Sequence, residues 1–407
     1  MMAREAYIIG AYSTEFRKWP DKSFKDLTRE ACLGVVADAG LDGGSEIDSV
    51  WFANSGMGAW GQTSIRGQVC LAALQREGYM RASIPVINIE NACASGSAAA
   101  HAAWKDILSG QSDMSLAVGV EKLYFPGVQK ERVLEGLAAG IDNFDSAPSR
   151  APAGRSLFVE ACAERARRHM LRYGTTARQI AVACAKSHWY GARNPRAQYQ
   201  FEIPVETVLK DRVVNAPLTR SMCAPPGDGA AAVLLCSGEM LRRLPQSVRR
   251  RAVALAATVM GGGGTLGVAQ KAYRLAGIQP CSIQVAEMHD YTSFCEIEQA
   301  EALGFCEPGQ GGAFAESGAT GPGGRLPVNT SGGLVSKSHP VAATGLSMLH
   351  ELVLQLREEA GDRQVPGARI ALQQNCGGAI GPDDAVCSVT ILGSRNICSR
   401  PTCAAYR

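Results

Sequence analysis

Two side chains in this sequence have the type and setting that nucleophilic chemistry needs. Cys93 lies in Asn91-Ala92-Cys93-Ala94-Ser95-Gly96-Ser97, directly after the apolar run Ile84-Pro85-Val86-Ile87-Asn88-Ile89. The run predicts a buried strand, and the small residues after it predict the opening of a helix. A sulfur there sits at the positive end of a helix dipole, where a thiolate is stabilised and its pKa falls. The small neighbours leave room for a substrate. Taken alone, a cysteine in such company is more often a small apolar filler. His339 tips the balance. Leu326 to Gly345 repeats the pattern of strand, glycine-rich turn and helix, and places an imidazole before Pro340. Imidazole is the usual base for a thiol near neutral pH, and the proline fixes the backbone beside it.

Two further segments end strands on reactive side chains. Arg369 to Asn375 leads into Cys376-Gly377-Gly378, and Val285-Ala286-Glu287-Met288 leads into His289-Asp290-Tyr291-Thr292. Glycines after Cys376 permit positive φ and close approach of a ligand to the backbone. The alternative for that segment is a tight turn between two core strands.

In this order the four pieces resemble the thiolase superfamily, nearest its sterol-carrier-protein-type and bacterial acetyl-CoA acetyltransferase-like branch. Asn91 to Gly96 is similar to the nucleophile block. Ser331-Gly332-Gly333 through His339-Pro340 to Ala343-Thr344-Gly345 resembles the Gly-His-Pro-x-Gly-Ala-Thr-Gly loop. Cys376-Gly377-Gly378 is similar to the Cys-x-Gly motif, and His289-Asp290 to the start of His-Asp-Cys-Phe. Cys223 to Ala232 fits the Gly-Asp-Gly-Ala-Ala segment. The resemblance runs from Ala6 to Leu392. It departs from the pattern at Ser338 and Ala342, where glycines are usual, and at Tyr291 and Thr292, which replace Cys-Phe.

The resemblance implies an α/β fold of two similar βαβ-type halves, packed as a five-layer α-β-α-β-α sandwich with an inserted loop domain. The expected division is 1–250, including an inserted cap at about 121–224, then 251–395 and a tail at 396–407. An internal repeat in the sequence agrees: Ala6 to Ala11 parallels Ala252 to Val259, and the Cys93 junction parallels the His339 junction. Alternating strands and helices favour sheets covered on both faces.

The implied chemistry is acyl transfer from an acyl-CoA through a Cys93 thioester, forming or cleaving a carbon–carbon bond. His339 takes the Cys93 proton, and backbone amides at Cys93 and Gly378, beside Gly377, hold the oxyanion. Cys376 is the acid or base at the α-carbon, and His289 stabilises the enolate oxygen. Tyr291 and Ser338 are candidates on the side of the second substrate. Three alternatives stand beside this: a C-acetyltransferase with a non-thioester, phloroglucinol-like acceptor; a thiolase-like retro-aldolase; and a non-catalytic scaffold subunit.

Composition bounds the rest. The chain has 407 residues, 46% hydrophobic and 19% charged, with a net charge of +3. That is ample for a large core and gives no nucleic-acid signature. Arginine clusters at Arg165 to Arg172 and Arg242 to Arg251 read as solvated helix faces, or as partners for coenzyme A phosphates. Fourteen cysteines show no Cys-x-x-Cys pair and no zinc spacing, so no metal and no tightly bound cofactor is expected. Cys387 reads as a small hydrophobe. With no secretory or membrane-spanning run, the expectation is a cytoplasmic protein that uses coenzyme A and acyl-CoA as substrates. The family adds a homodimer or dimer of dimers and a small OB-fold, zinc-ribbon partner.

Overall fold

The computed structural model describes residues 4–129, 156–380 and 383–394, with 132–133, 136–137 and 139–141 between them. The expected tail at 396–407 and part of the expected cap lie outside these residues. Eleven strands are present among them: β1 Ala6–Ser13, β2 Ser49–Ala53, β3 Val86–Ile89, β4 Met114–Glu121, β5 Val213–Asn215, β6 Leu218–Thr219, β7 Gly229–Ser237, β8 Val253–Gly261, β9 Val285–Glu287, β10 Ile370–Ile380 and β11 Asp383–Gly393. The longer helices are α1 Phe24–Asp38, α2 Arg66–Arg76, α3 Ser95–Ser109, α4 Leu157–Tyr173, α5 Ala177–Gly191, α6 Thr265–Ala276, α7 Ser293–Ala302 and α8 Thr344–Arg357.

Nine strands form one sheet in the order β3-β2-β4-β7-β1-β8-β11-β10-β9. It divides at β1 and β8, which share only the register pairs Tyr7↔Ala254 and Ile8↔Val253. Each side repeats one plan. β2 and β4 are parallel with β7 antiparallel beside them, and β9 and β10 are parallel with β11 antiparallel beside them. Val328 bridges Ala286 where the second side would hold the counterpart of β3.

Alternation along the strands generates the layers. Ile9, Val50 and Phe52 face Leu27, Ala31 and Val35 of α1 and Leu71 of α2. Ile8, Val233, Leu235 and Leu255 face inward onto Ala99, Ala103 and Ile107 of α3 and Leu346, Leu349 and Val353 of α8. On the far side Val259, Val389 and Ile391 pack against Val268 and Ala272 of α6. The two half-sheets thus fold around α3 and α8 as the expected sandwich, hydrogen-bonded along the β1–β8 seam. A separate core joins Cys162 and Ala166 of α4 to Ile180 and Cys184 of α5 and Phe294 and Ile297 of α7.

Helix α1 illustrates how local sequence sets these boundaries. Ser23 accepts from the Asp26 amide while the Asp26 carboxylate accepts from the Ser23 amide, a reciprocal cap that satisfies two orphan donors.

Candidate active site

Asn91 to Ala94 turns sharply between β3 and α3. Ala92 has φ +47°, a left-handed conformation costing a non-glycine residue about 1–3 kcal/mol. The turn is held by Ser95, whose Oγ accepts from Asn91 N at 2.9 Å and donates to the Ala92 carbonyl at 2.6 Å. Glycines here serve packing more than substrate access. A Cβ on Gly96 would lie 2.6 Å from the Ala342 carbonyl, and one on Gly377 2.3 Å from the Asn91 carbonyl. The small-residue run therefore lets α3, β10 and the α8 junction close on one another.

Cys93 ends up half-buried with a cluster around it. Its sulfur and one nitrogen each from His289 and His339 all lie within 4.8 Å of one another. The two imidazoles meet edge to face with centroids 5.2 Å apart. Burial pushes the Cys93 thiol up to about 12, with Asp384 and Glu121 adding to it and the Gly378 amide acting the other way. This corrects the lowered pKa expected from the helix start, because desolvation outweighs the dipole. Burial also lowers His339 to about 4. Thiol and imidazole therefore rest as a neutral pair.

His339 is held from both sides. Its amide and the Ser338 hydroxyl both donate to the Pro225 carbonyl, at 3.3 and 3.0 Å. Its Nδ1 lies 2.7 Å from Thr344 Oγ1, and that hydroxyl donates to the Pro340 carbonyl at 3.0 Å. With its one hydroxyl proton given to that carbonyl, Thr344 accepts from His339 Nδ1 and leaves the lone pair on Nε2. This is the tautomer a base requires.

The β9 terminus is tied to the same loop. Glu287 accepts from Ser331 N and Oγ at 2.9 and 2.6 Å, and Asp290 accepts from Leu334 N at 2.7 Å. His289 is 5% exposed, and its Nδ1 lies 2.8 Å from Asn375 Nδ2. Burial holds it well below the ordinary imidazole range, and His339 adds to that.

Other expected site residues stand differently. Cys376 is absent from the close cluster. Its sulfur lies 2.6 Å from Cys387 Sγ and accepts from Gln374 Nε2 at 2.8 Å, on the α6 side of β10. Cys387, expected as mere filler, is drawn below its ordinary pKa by the donors Cys376, Thr265 and Gln374. Gly378 lies inside β10 rather than in a tight turn, with φ +67°. Ser338 is fully buried at φ +100°, and its hydroxyl donates to the Pro225 carbonyl. Tyr291 is half-buried 5.6 Å from the His289 ring, and its hydroxyl accepts from Arg165 Nη2 at 3.2 Å. Ser97, Thr344, Gln374 and Asn375 also belong to this site and were not expected in it. Thr344 and Asn375 stand inside or beside recognisable motifs, but nothing in their spacing marks a role.

Three soft donors this close are also a ligand set that suits a zinc-like cation, provided both imidazoles offer lone pairs. No helix among the described residues is long and apolar enough to cross a membrane.

Known proteins match the chain along most of its length. The family model described as "Thiolase, N-terminal domain" matches residues 6–222, and "Thiolase C-terminal domain-like" matches 245–392. An "Acetyl-CoA acetyltransferase" of Methanothermobacter thermautotrophicus is 35% identical, over 93% of this chain and 97% of that protein. The "Sterol carrier protein 2" of Bos taurus is 32% identical, over 92% of this chain and 70% of that protein. The solved structure named "Ltp2-ChsH2(DUF35) aldolase" aligns with TM-score 0.77 at 23% identity, over 96% of this chain and 98% of that one. At that identity it speaks for the fold alone.

Proposed function

The chain belongs to the thiolase family, and from that premise we propose that it transfers an acyl group from coenzyme A through a thioester on Cys93. Its enzyme class, a thiolase-type acyltransferase, follows from the relatives. The thioester step rests chiefly on one observation: the sulfur and both imidazoles lie within 4.8 Å.

In this reading His339 Nε2 accepts the Cys93 proton as the sulfur attacks the acyl-CoA carbonyl. The tetrahedral oxyanion is held by the amides of Cys93 and Gly378, and coenzyme A leaves as its thiol. A donor so placed contributes about 3 kcal/mol. The second thioester then loses an α-proton, its enolate oxygen is held by His289, and the carbanion attacks the acyl-Cys93 carbonyl, whose carbon–sulfur bond breaks to free the product and return the Cys93 thiol. Cys376 is the proposed acid or base of this step. Gly377 brings its backbone against the nucleophile turn, and Cys387 is available to share its proton. Run backwards, the same groups cleave a 3-ketoacyl-CoA with coenzyme A.

Intact-mass spectrometry after incubation with acetyl-CoA tests the reading. A single acetyl adduct, mapped to Cys93, is expected; an unmodified chain would sink it. A retro-aldolase is the second reading, resting on the Tyr291 ring beside His289. Tyr291→Phe separates the two: it should leave thioester formation and condensation within about threefold if the ring only packs. A small OB-fold, zinc-ribbon partner protein is likewise proposed, on the family resemblance. A homodimeric state, a cytoplasmic site of action and the division at 250/251 are proposed on the family resemblance.

A further inference from the structure

Behind His289 runs a hydrogen-bond chain built wholly from buried groups, and its direction is fixed at both ends. It starts at the Gly345 carbonyl, an atom able only to accept. Gln373 Nε2 donates to that carbonyl at 3.3 Å and to Ser97 Oγ at 2.6 Å. Ser97 therefore sends its single proton onward, to Asn375 Oδ1 at 2.8 Å. With its oxygen so engaged, Asn375 turns its amide nitrogen to the opposite side. There Nδ2 faces the Cys376 carbonyl at 3.4 Å, again an acceptor only, and His289 Nδ1 at 2.8 Å. Gln373, Ser97 and Asn375 are each 0% exposed, so solvent does not reset these directions.

The chain links parts of the molecule distant in sequence. Ser97 is on the helix that follows the nucleophile, Gln373 and Asn375 alternate with Cys376 along β10, and Gly345 opens α8. Gly345 must be glycine for the chain to exist. A Cβ there would lie 2.2 Å from Ser97 Oγ and 2.7 Å from Asn375 Oδ1.

An amide that donates to Nδ1 requires a lone pair on that nitrogen, and a neutral imidazole then carries its proton on Nε2. We propose that Ser97 and Asn375 are positioning residues that hold His289 in its Nε2–H form, so that it offers the second substrate a hydrogen-bond donor. His339 is fixed in the opposite form by Thr344. One cleft thereby holds two adjacent imidazoles with divided tasks: a base at His339 and an oxyanion donor at His289. The same arrangement denies a soft cation one of the three lone pairs that the Cys93 cluster would need.

The catalytic part of this inference rests on the thiolase-type reading; the tautomer does not. Nitrogen-15 NMR of histidine-labelled protein, with His289→Gln supplying the assignment, reads the tautomer directly. The wild-type chain should show His289 protonated on Nε2. Ser97→Ala frees the Asn375 amide to rotate and should introduce the Nδ1–H form. Asn375→Asp, which can only accept, should place a proton on Nδ1 outright, and it serves should Ser97→Ala fail to fold. In single-turnover assays Ser97→Ala should slow carbon–carbon bond formation about tenfold, as expected for a donor present only part of the time, while Cys93 acetylation stays within about twofold. Ser97→Thr, which keeps the hydroxyl, should restore the rate. A wild-type His289 protonated on Nδ1, or a Ser97→Ala variant unchanged in both tautomer and condensation, overturns the proposal. An Nε2–H imidazole in a protein that forms no carbon–carbon bond would sink the thiolase-type reading and leave the tautomer assignment standing.

Discussion

The two junctions that build the cleft share a backbone and differ in where they place their chemistry. In the first, a three-residue turn at Ala92–Ala94 runs directly into α3 at Ser95; in the second, Val341–Ala343 runs directly into α8 at Thr344. Aligned on these turns, Gly96 matches Gly345, and each is pressed against the opposite junction. The counterpart of Cys93 is then Ala342, not His339. His339, the proposed base, sits three residues further upstream, at the place Glu90 takes in the first junction.

The first hydroxyl of each helix shows what made this displacement workable. Ser95 Oγ reaches back to accept from the Asn91 amide. Thr344 Oγ1 reaches back to the same place, but Pro340 stands there and has no N–H to give. Its acceptor capacity is left for His339 Nδ1. One proline thus converts a helix-opening hydroxyl from a backbone clamp into a holder of the His339 imidazole.

Breaking the first junction should have the largest effect. Cys93→Ser should lower acyl-enzyme formation by about 10³-fold or more, since the alcohol is a poorer nucleophile and holds its proton more tightly. The check is release of coenzyme A in a single turnover. Breaking the second junction at its hydroxyl comes next. Thr344→Val should cost about 10²-fold in acylation, because nothing then selects the His339 tautomer, and Thr344→Ser should recover most of it.

The pH profile sharpens the comparison without mutation. His339 must be neutral to accept a proton, and burial takes its pKa from 6.5 to about 4. Acylation measured by pH jump should hold down to near pH 4. An unperturbed imidazole would already have lost about tenfold by pH 5.5. The folding term runs in the same direction. The stability contributed by this neutral histidine is full above about 6.5 and declines as pH falls toward about 4, as the unfolded chain takes up the proton first. Circular dichroism at each pH separates unfolding from loss of the base.

The smallest expected change probes the proline. Pro340→Ala restores an amide that competes for Thr344 Oγ1, and a competition of about 1 kcal/mol amounts to about fivefold in acylation. An unaltered rate would mean that the hydroxyl serves both donors, and that the missing N–H is not what distinguishes the junctions.

Much of the architecture was legible in the residues. The strand predicted before Cys93 and the helix predicted after it correspond to β3 and α3, and the repeat of Ala6 to Ala11 in Ala252 to Val259 corresponds to β1 and β8. These features are local: periodicity, capping and turn residues act over a few positions, so the sequence carries them openly. The pairing of Cys93 with His339 also follows from side-chain type and from position at strand ends, whereas the part given to His289 comes from the family resemblance.

What the sequence left undecided depends on groups brought together from far apart. Cys376 and Asn375 are neighbours in the chain, yet strand alternation sends the sulfur toward Cys387 and α6 and the amide toward Ser97 and His289. Ser338 lay in the right motif but is turned inward by its contact with Pro225. Protonation followed the same rule. The Cys93 thiol is raised and His339 lowered because the folded halves exclude water from both, and burial is a property of the assembled molecule. The amino-acid sequence by itself determined which reactive side chains stand at strand ends and which turns carry them. Tertiary structure decided which of them meet, which way each hydrogen bond runs and where each proton rests, because those follow from contacts such as Ser97 to Asn375, 278 residues apart in the chain.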